Sequence, residues 1–212
     1  MYPKKIVVML VLIMMLAAGV VEARFGSAPE GWPCVQPYVA KVSAGAFWTG
    51  GELPASEALV GNEALMRLVE EVSDRTISYQ QSLDKVKTFL DQLDGGSPEK
   101  KQEQVALLVV ALTDIINSKR TQVLKGITRF GKRQQMMITR IEDQDSKIRA
   151  IESDDNAENF STLEDLEARQ KWDIRVFEER EFQKNYLCEQ PVLLEQRFFL
   201  LGREIAAWLS SE

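Results

Sequence analysis

Apolar side chains recur at steps of three and four residues through most of this chain, and that rhythm predicts amphipathic helices rather than strands. A first arm, about 57–93, carries Leu65, Leu68, Val69 and Val72, then Ile77, Leu83, Val86, Phe89, Leu90 and Leu93. Its phase weakens between Ser73 and Thr76, where a kink or a break into two shorter helices is expected. Asp94-Gly95-Gly96 stops this arm, and Ser97-Pro98-Glu99 starts the next with an N-cap, a proline in the first turn and an early acid. The second arm, about 98–153, carries Val105, Leu108, Leu112 and Ile115, then Phe130, Gln134, Met137 and Ile141. Between these blocks Lys119, Val123 and Ile127 make consecutive four-residue steps, a stutter that unwinds a supercoil locally. Gly126 and Gly131 are the places where so long a helix is free to bend. Ser161-Thr162-Leu163-Glu164 has capping-box spacing and opens a third arm, about 162–209, which Pro191 is expected to kink.

Three arms joined by short connections pack most simply as antiparallel neighbours. The expected fold class is therefore all-α: an elongated antiparallel helical bundle of coiled-coil hairpins over 57–212, with an irregular N-terminal strap. That strap, 24–56, holds Pro29, Pro33, Pro37 and Pro54 among five glycines, which forbids a long helix. It also holds Trp32, Val35, Tyr38, Val39, Phe47 and Trp48, too much apolar surface for a disordered linker. An ordered segment lying over the helices is expected, with a short helical turn near Ser43 to Phe47.

Charge refines the pairing of the arms. Residues 118–149 hold nine Lys or Arg against three acids, and residues 150–181 hold eleven acids against four bases. A turn centred near residue 157 makes positions that sum to about 314 face each other, bringing Arg133 to Glu181 and Arg149 to Asp165. Such an intramolecular zipper sets register more than stability. The alternative for the basic run is a ligand-binding patch.

The first 23 residues have the form of a signal peptide, with Lys4 and Lys5 ahead of an apolar run from Ile6 to Val21 and small side chains before a cleavage point after Ala23. The run falls short of the ~20 residues of a membrane-crossing helix, so cleavage is expected over retention as an anchor. Export to the periplasm follows, with no integral membrane association after cleavage. The leader takes Lys4, Lys5 and Glu22 with it, leaving 24 bases against 31 acids and a net charge of −7. So acidic a chain is not expected to bind nucleic acid.

The chain's two cysteines, Cys34 and Cys188, are expected to pair in that compartment, fastening the strap to the last arm. The register sets Gly126 opposite Cys188, one turn from Pro191, so Trp32-Pro33-Cys34 is expected to dock at Gly126 and Pro191. Neither cysteine lies in a Cys-x-x-Cys, which argues against a redox or metal role.

Histidine is absent, which removes the commonest general base and the usual zinc and haem ligand. No catalytic residue, metal or cofactor is assigned on this inventory, and the chain is expected not to be an enzyme. Trp32-Pro33-Cys34-Val35-Gln36 followed by Gly45-x-x-Trp48 resembles the N-terminal pattern of uncharacterised exported α-helical proteins of proteobacteria. Gly126-Ile127-x-Arg129-Phe130-x-x-Arg133-Gln134 is similar to a segment of the same group. The resemblance implies export and a bacterial periplasm and carries no activity with it. The Leu-Thr-x-x-Gln repeat of small periplasmic chaperones is not present, since Leu112-Thr113-Asp114-Ile115-Ile116 has Ile where Gln belongs.

The function expected is thus non-enzymatic: an interaction or structural protein that binds a protein partner or self-associates through its helix faces. Arg129, Lys132 and Arg133, with Met136 and Met137, are the candidate interaction residues. A periplasmic holdase chaperone is the alternative, and a cell-wall glycan hydrolase using carboxylates is a third class.

Overall fold

The computed structural model describes residues 27–93, 95–153 and 160–211. The expected leader, residues 24–26 of the strap, Asp94 and the 154–159 connection lie outside them. Among the described residues all regular structure is helical: α1 Glu63–Val72, α2 Tyr79–Asp91, α3 Pro98–Glu152 and α4 Phe160–Ser211, with 3-10 turns at Ala44–Ala46 and Ser56–Leu59. No described helix is long and apolar enough to cross a membrane.

The first arm divides where its phase is weakest. Ser78 restarts it as α2 with a capping box, its hydroxyl accepting from the Gln81 N–H while the Gln81 side chain accepts from the Ser78 N–H. Asn62 caps α1 through its side chain. Pro98 stands in the first turn of α3, where a missing N–H costs nothing. The capping box expected at Ser161 is not used as a cap, because α4 already runs from Phe160. Pro191, where the last arm is expected to kink, sits inside one continuous 52-residue helix.

The core lies at one end of the molecule. There α1, α2, the first half of α3 and the last third of α4 form a four-helix bundle around Leu65, Val69, Val86, Leu90, Leu108, Leu112, Phe198, Leu201 and Ile205. Residues 105–112 of α3 are buried without interruption. A helix buried on every side needs neighbours on every side, and the strap supplies the last of them. Phe47 inserts at Gly202, where any Cβ would overlap its ring, and stacks edge-on against Phe198 at 5.2 Å between centroids. Asn117 pins the passing strap by closing two hydrogen bonds to the backbone of Val42.

Beyond residue 120 the bundle thins to the α3–α4 hairpin. Its seam on α3 is a single buried row, Leu124, Ile127, Gly131, Gln134, Met137, Gln144 and Ile148. The register agrees with positions summing to about 314: Gln134 meets Glu181 at 3.1 Å, Arg140 meets Asp173 at 2.5 Å, and Arg120 meets Glu195 at 3.2 Å. The expected partners differ. Glu181 takes Gln134 rather than Arg133, and Arg149 pairs with Asp145 of its own helix rather than with Asp165. One residue along an α-helix is a rotation of ~100°, which carries Arg133 off the seam.

Candidate functional site

The strap crosses the hairpin at the disulfide. Cys34 and Cys188 are bonded, with 5.7 Å between their Cα atoms. Trp32 folds back to donate its indole N–H to the Gln36 carbonyl and meets Tyr38 edge-on at 5.1 Å. The glycine beneath this crossing is Gly131, not Gly126. A Cβ on Gly131 would overlap the Gly31 carbonyl oxygen and press on the Pro33 ring, whereas nothing lies within 4 Å of one on Gly126. Gly31 itself holds φ +83°, a conformation that favours glycine and lets the strap turn across the helix. Gly126 does face Cys188 in register, but the strap approaches obliquely and meets α3 more than one turn further on.

This contrast yields a prediction. Gly131→Ala is expected to destabilise by about 1–3 kcal/mol through overpacking, while Gly126→Ala is expected to gain up to ~1 kcal/mol of helix propensity. Urea midpoints of the two variants would show it, and equal shifts would mean that the strap does not rest on Gly131.

A second anchor lies one strap turn later. Arg120, only 2% exposed, donates to the carbonyls of Val39 (2.8 Å) and Pro191 (2.7 Å) and to the Glu195 carboxylate. Burial lowers its pKa and the nearby Glu195 opposes that, so the guanidinium is a buried cation held by two backbone carbonyls and a partly exposed carboxylate. Pro191 is thus linked to the strap through Arg120 of α3, whose guanidinium also holds the Val39 carbonyl.

Between strap and hairpin opens a groove of about 710 Å³, lined by Glu30, Trp32, Lys132, Gln134, Met136, Glu181 and Lys184 among others. Hydrogen bonds from Lys184 above all, and from Gln134, hold the Glu181 carboxyl below its usual value. Gln134 directs its amide N–H groups to Glu181 and the Phe177 carbonyl, leaving its buried carbonyl oxygen without a protein partner. Among the described residues no three carboxylate or cysteine side chains gather in a way that could hold a metal ion.

The five candidate interaction residues do not form one patch. Arg129, Lys132 and Arg133 are exposed and make no ion pair among the described residues, with Lys132 beside the strap. Met136 stands out at 63% exposure, but Met137 is on the hairpin seam at 8%. Sequence reasoning missed a larger apolar surface. On the side of α4 that faces away from α3, Trp172 (63% exposed), Phe182 (90%), Tyr186 (66%) and Leu193 (47%) stand in solvent. The signal was available: steps of three and four link 172, 175, 179, 182, 186, 189 and 193, a second seam out of phase with the buried one.

Comparison with protein-family models, with curated proteins and with solved structures finds no match for the chain.

Proposed function

We propose that this is a non-enzymatic interaction protein of the periplasm, working through the outer faces of its α3–α4 hairpin. The observation that carries the reading is the row of large side chains at Trp172, Phe182, Tyr186 and Leu193, which stand exposed along α4 among the described residues. Large aromatic side chains set along one helix face are the usual anchors of protein contacts. The Cys34–Cys188 bond supports an oxidising compartment outside the cytoplasm.

A glycan hydrolase has little support in the groove. Glu30 and Glu181 both line it, yet Glu181 is held below the normal carboxyl range, the reverse of what a general acid requires. The holdase reading calls for a broad apolar cradle. The exposed row is instead one residue wide and interrupted by Arg175, Glu179 and Glu189.

The test is a photo-activated cross-linking side chain placed at Phe182 or Tyr186 in the living cell, with exposed Lys87 of α2 as control position. Discrete protein adducts at the first two sites and none at the third are expected. Absence of adducts at both hairpin sites would overturn the proposal.

A further inference from the structure

We infer that the occupant of the outer α4 seam is a second copy of this chain, packed antiparallel about a two-fold axis that passes at Phe182. The inference rests on the interaction reading above and gives that surface its partner.

The seam is self-complementary in one direction only. Arg175 lies seven residues before Phe182, and Glu189 lies seven residues after it, all three on the same exposed face. A two-fold axis at Phe182 sets the Arg175 of each copy opposite the partner's Glu189, so the pair forms twice. A parallel pairing would set arginine beside arginine and glutamate beside glutamate, which is repulsive. Among the described residues neither side chain has an ion pair or hydrogen bond within its own chain, which leaves each available for the contact.

The apolar positions come within one residue of the same symmetry. Trp172 is ten residues before the centre and Leu193 eleven after it, so each tryptophan lies next to the partner's Leu193 along the seam. Phe182, at 90% exposure, meets its own image at the axis, where an isologous interface buries its central residues most completely.

Shape favours the same arrangement. The α1–α2 corner leans on α4 only toward its C-terminal end, where Arg75 hydrogen-bonds Gln190 and Arg197 donates to the carbonyls of Asp74 and Ile77. Antiparallel packing lays the thick four-helix end of one copy beside the thin hairpin of the other. Parallel packing would set the two thick ends side by side. The contact from Trp172 to Leu193 runs about 32 Å at the helical rise.

The experiment is sedimentation equilibrium on the full mature chain across micromolar to sub-millimolar concentration. Wild type is expected at twice the monomer mass. Phe182→Asp is expected to raise the dissociation constant about a hundredfold or more, as for a central anchor, with an unchanged circular dichroism spectrum. Arg175→Glu and Glu189→Arg each weaken the dimer alone, and mixing the two variants restores a heterodimer, because each then carries the charge that the other lacks. A monomeric wild type over the whole range, or a Phe182→Asp protein as dimeric as wild type, overturns the inference. Failure of the dimer and failure of the wider reading are separable. A monomer whose cross-linker at Phe182 captures a different protein removes the dimer and leaves the interaction surface, while a monomer that captures nothing removes both.

Discussion

Replacing Cys34 and Cys188 together with alanine is expected to cost about 2–5 kcal/mol of folding stability, and adding reductant to the wild-type protein should reproduce the loss. The bond joins residues 154 apart in sequence, so it closes most of the chain into one loop. In the chain-entropy account a closure of this length restricts the unfolded ensemble by ~5 kcal/mol, an upper bound on the effect. Urea unfolding with and without reductant measures it. The slope against urea should steepen on reduction, because the opened chain exposes more surface when it unfolds. Loss of the bond should also loosen the strap before the bundle, since Trp32, Pro33 and Gly31 rest on the hairpin surface while Val42, Ala44 and Phe47 are buried in the core. An unfolding midpoint that reductant leaves in place would contradict this account.

Arg120→Ala should be the most damaging single substitution outside the apolar core, at about 3–5 kcal/mol. The arginine joins three segments that are far apart in sequence: the strap at Val39, α3 itself, and α4 at Pro191 and Glu195. Its removal leaves two carbonyl oxygens without their donor and a cavity where a large side chain was fully enclosed. Glu195 is 36% exposed on its side chain and can turn back to water, so the carbonyls and the cavity dominate the loss. Arg120→Lys keeps the charge but not the fork, and it cannot span Val39 and Pro191 together, so it should recover only part of the stability. Arg140 is the control. It meets Asp173 at 2.5 Å but is 54% exposed, and Arg140→Ala should cost under about 1 kcal/mol. Thermal or urea unfolding of the three variants, compared with Glu195→Gln, would reveal whether the anchor acts as described. An Arg120→Ala protein within error of wild type would refute it.

Both effects concern residues whose roles were legible to different degrees. The cysteine pair could be read from count and the compartment expected from the leader. Arg120 could not, because within the basic run 118–149 it looks like any other solvated arginine. Only the fold shows that this one position points between strap and α4 while Arg129, Lys132 and Arg133 point outward. The same blindness separated Met136 from Met137 and Gly126 from Gly131. Neighbours along a helix differ by a fraction of a turn, and a fraction of a turn decides whether a side chain meets solvent, a seam or a crossing strap.

The outer seam of α4 shows the limit most clearly. Its inward row, which includes Ile174, Phe177, Leu194 and Leu201, and its outward row of Trp172, Phe182, Tyr186 and Leu193 both step by three and four. Periodicity states that a helix carries apolar stripes without ranking them.

By itself the sequence determined the helical class, the division of the first arm near Ser73, the restart at Pro98, the hairpin register and the pairing of the two cysteines. These follow from spacing along one dimension: the period of apolar residues, the position of breakers, and the distance of each residue from a turn. The tertiary structure decided which stripe of α4 is core and which is free, where the strap meets the hairpin, and which arginine is buried. Those outcomes depend on azimuth about each helix axis and on which neighbour arrives there, quantities that exist only once the helices have packed.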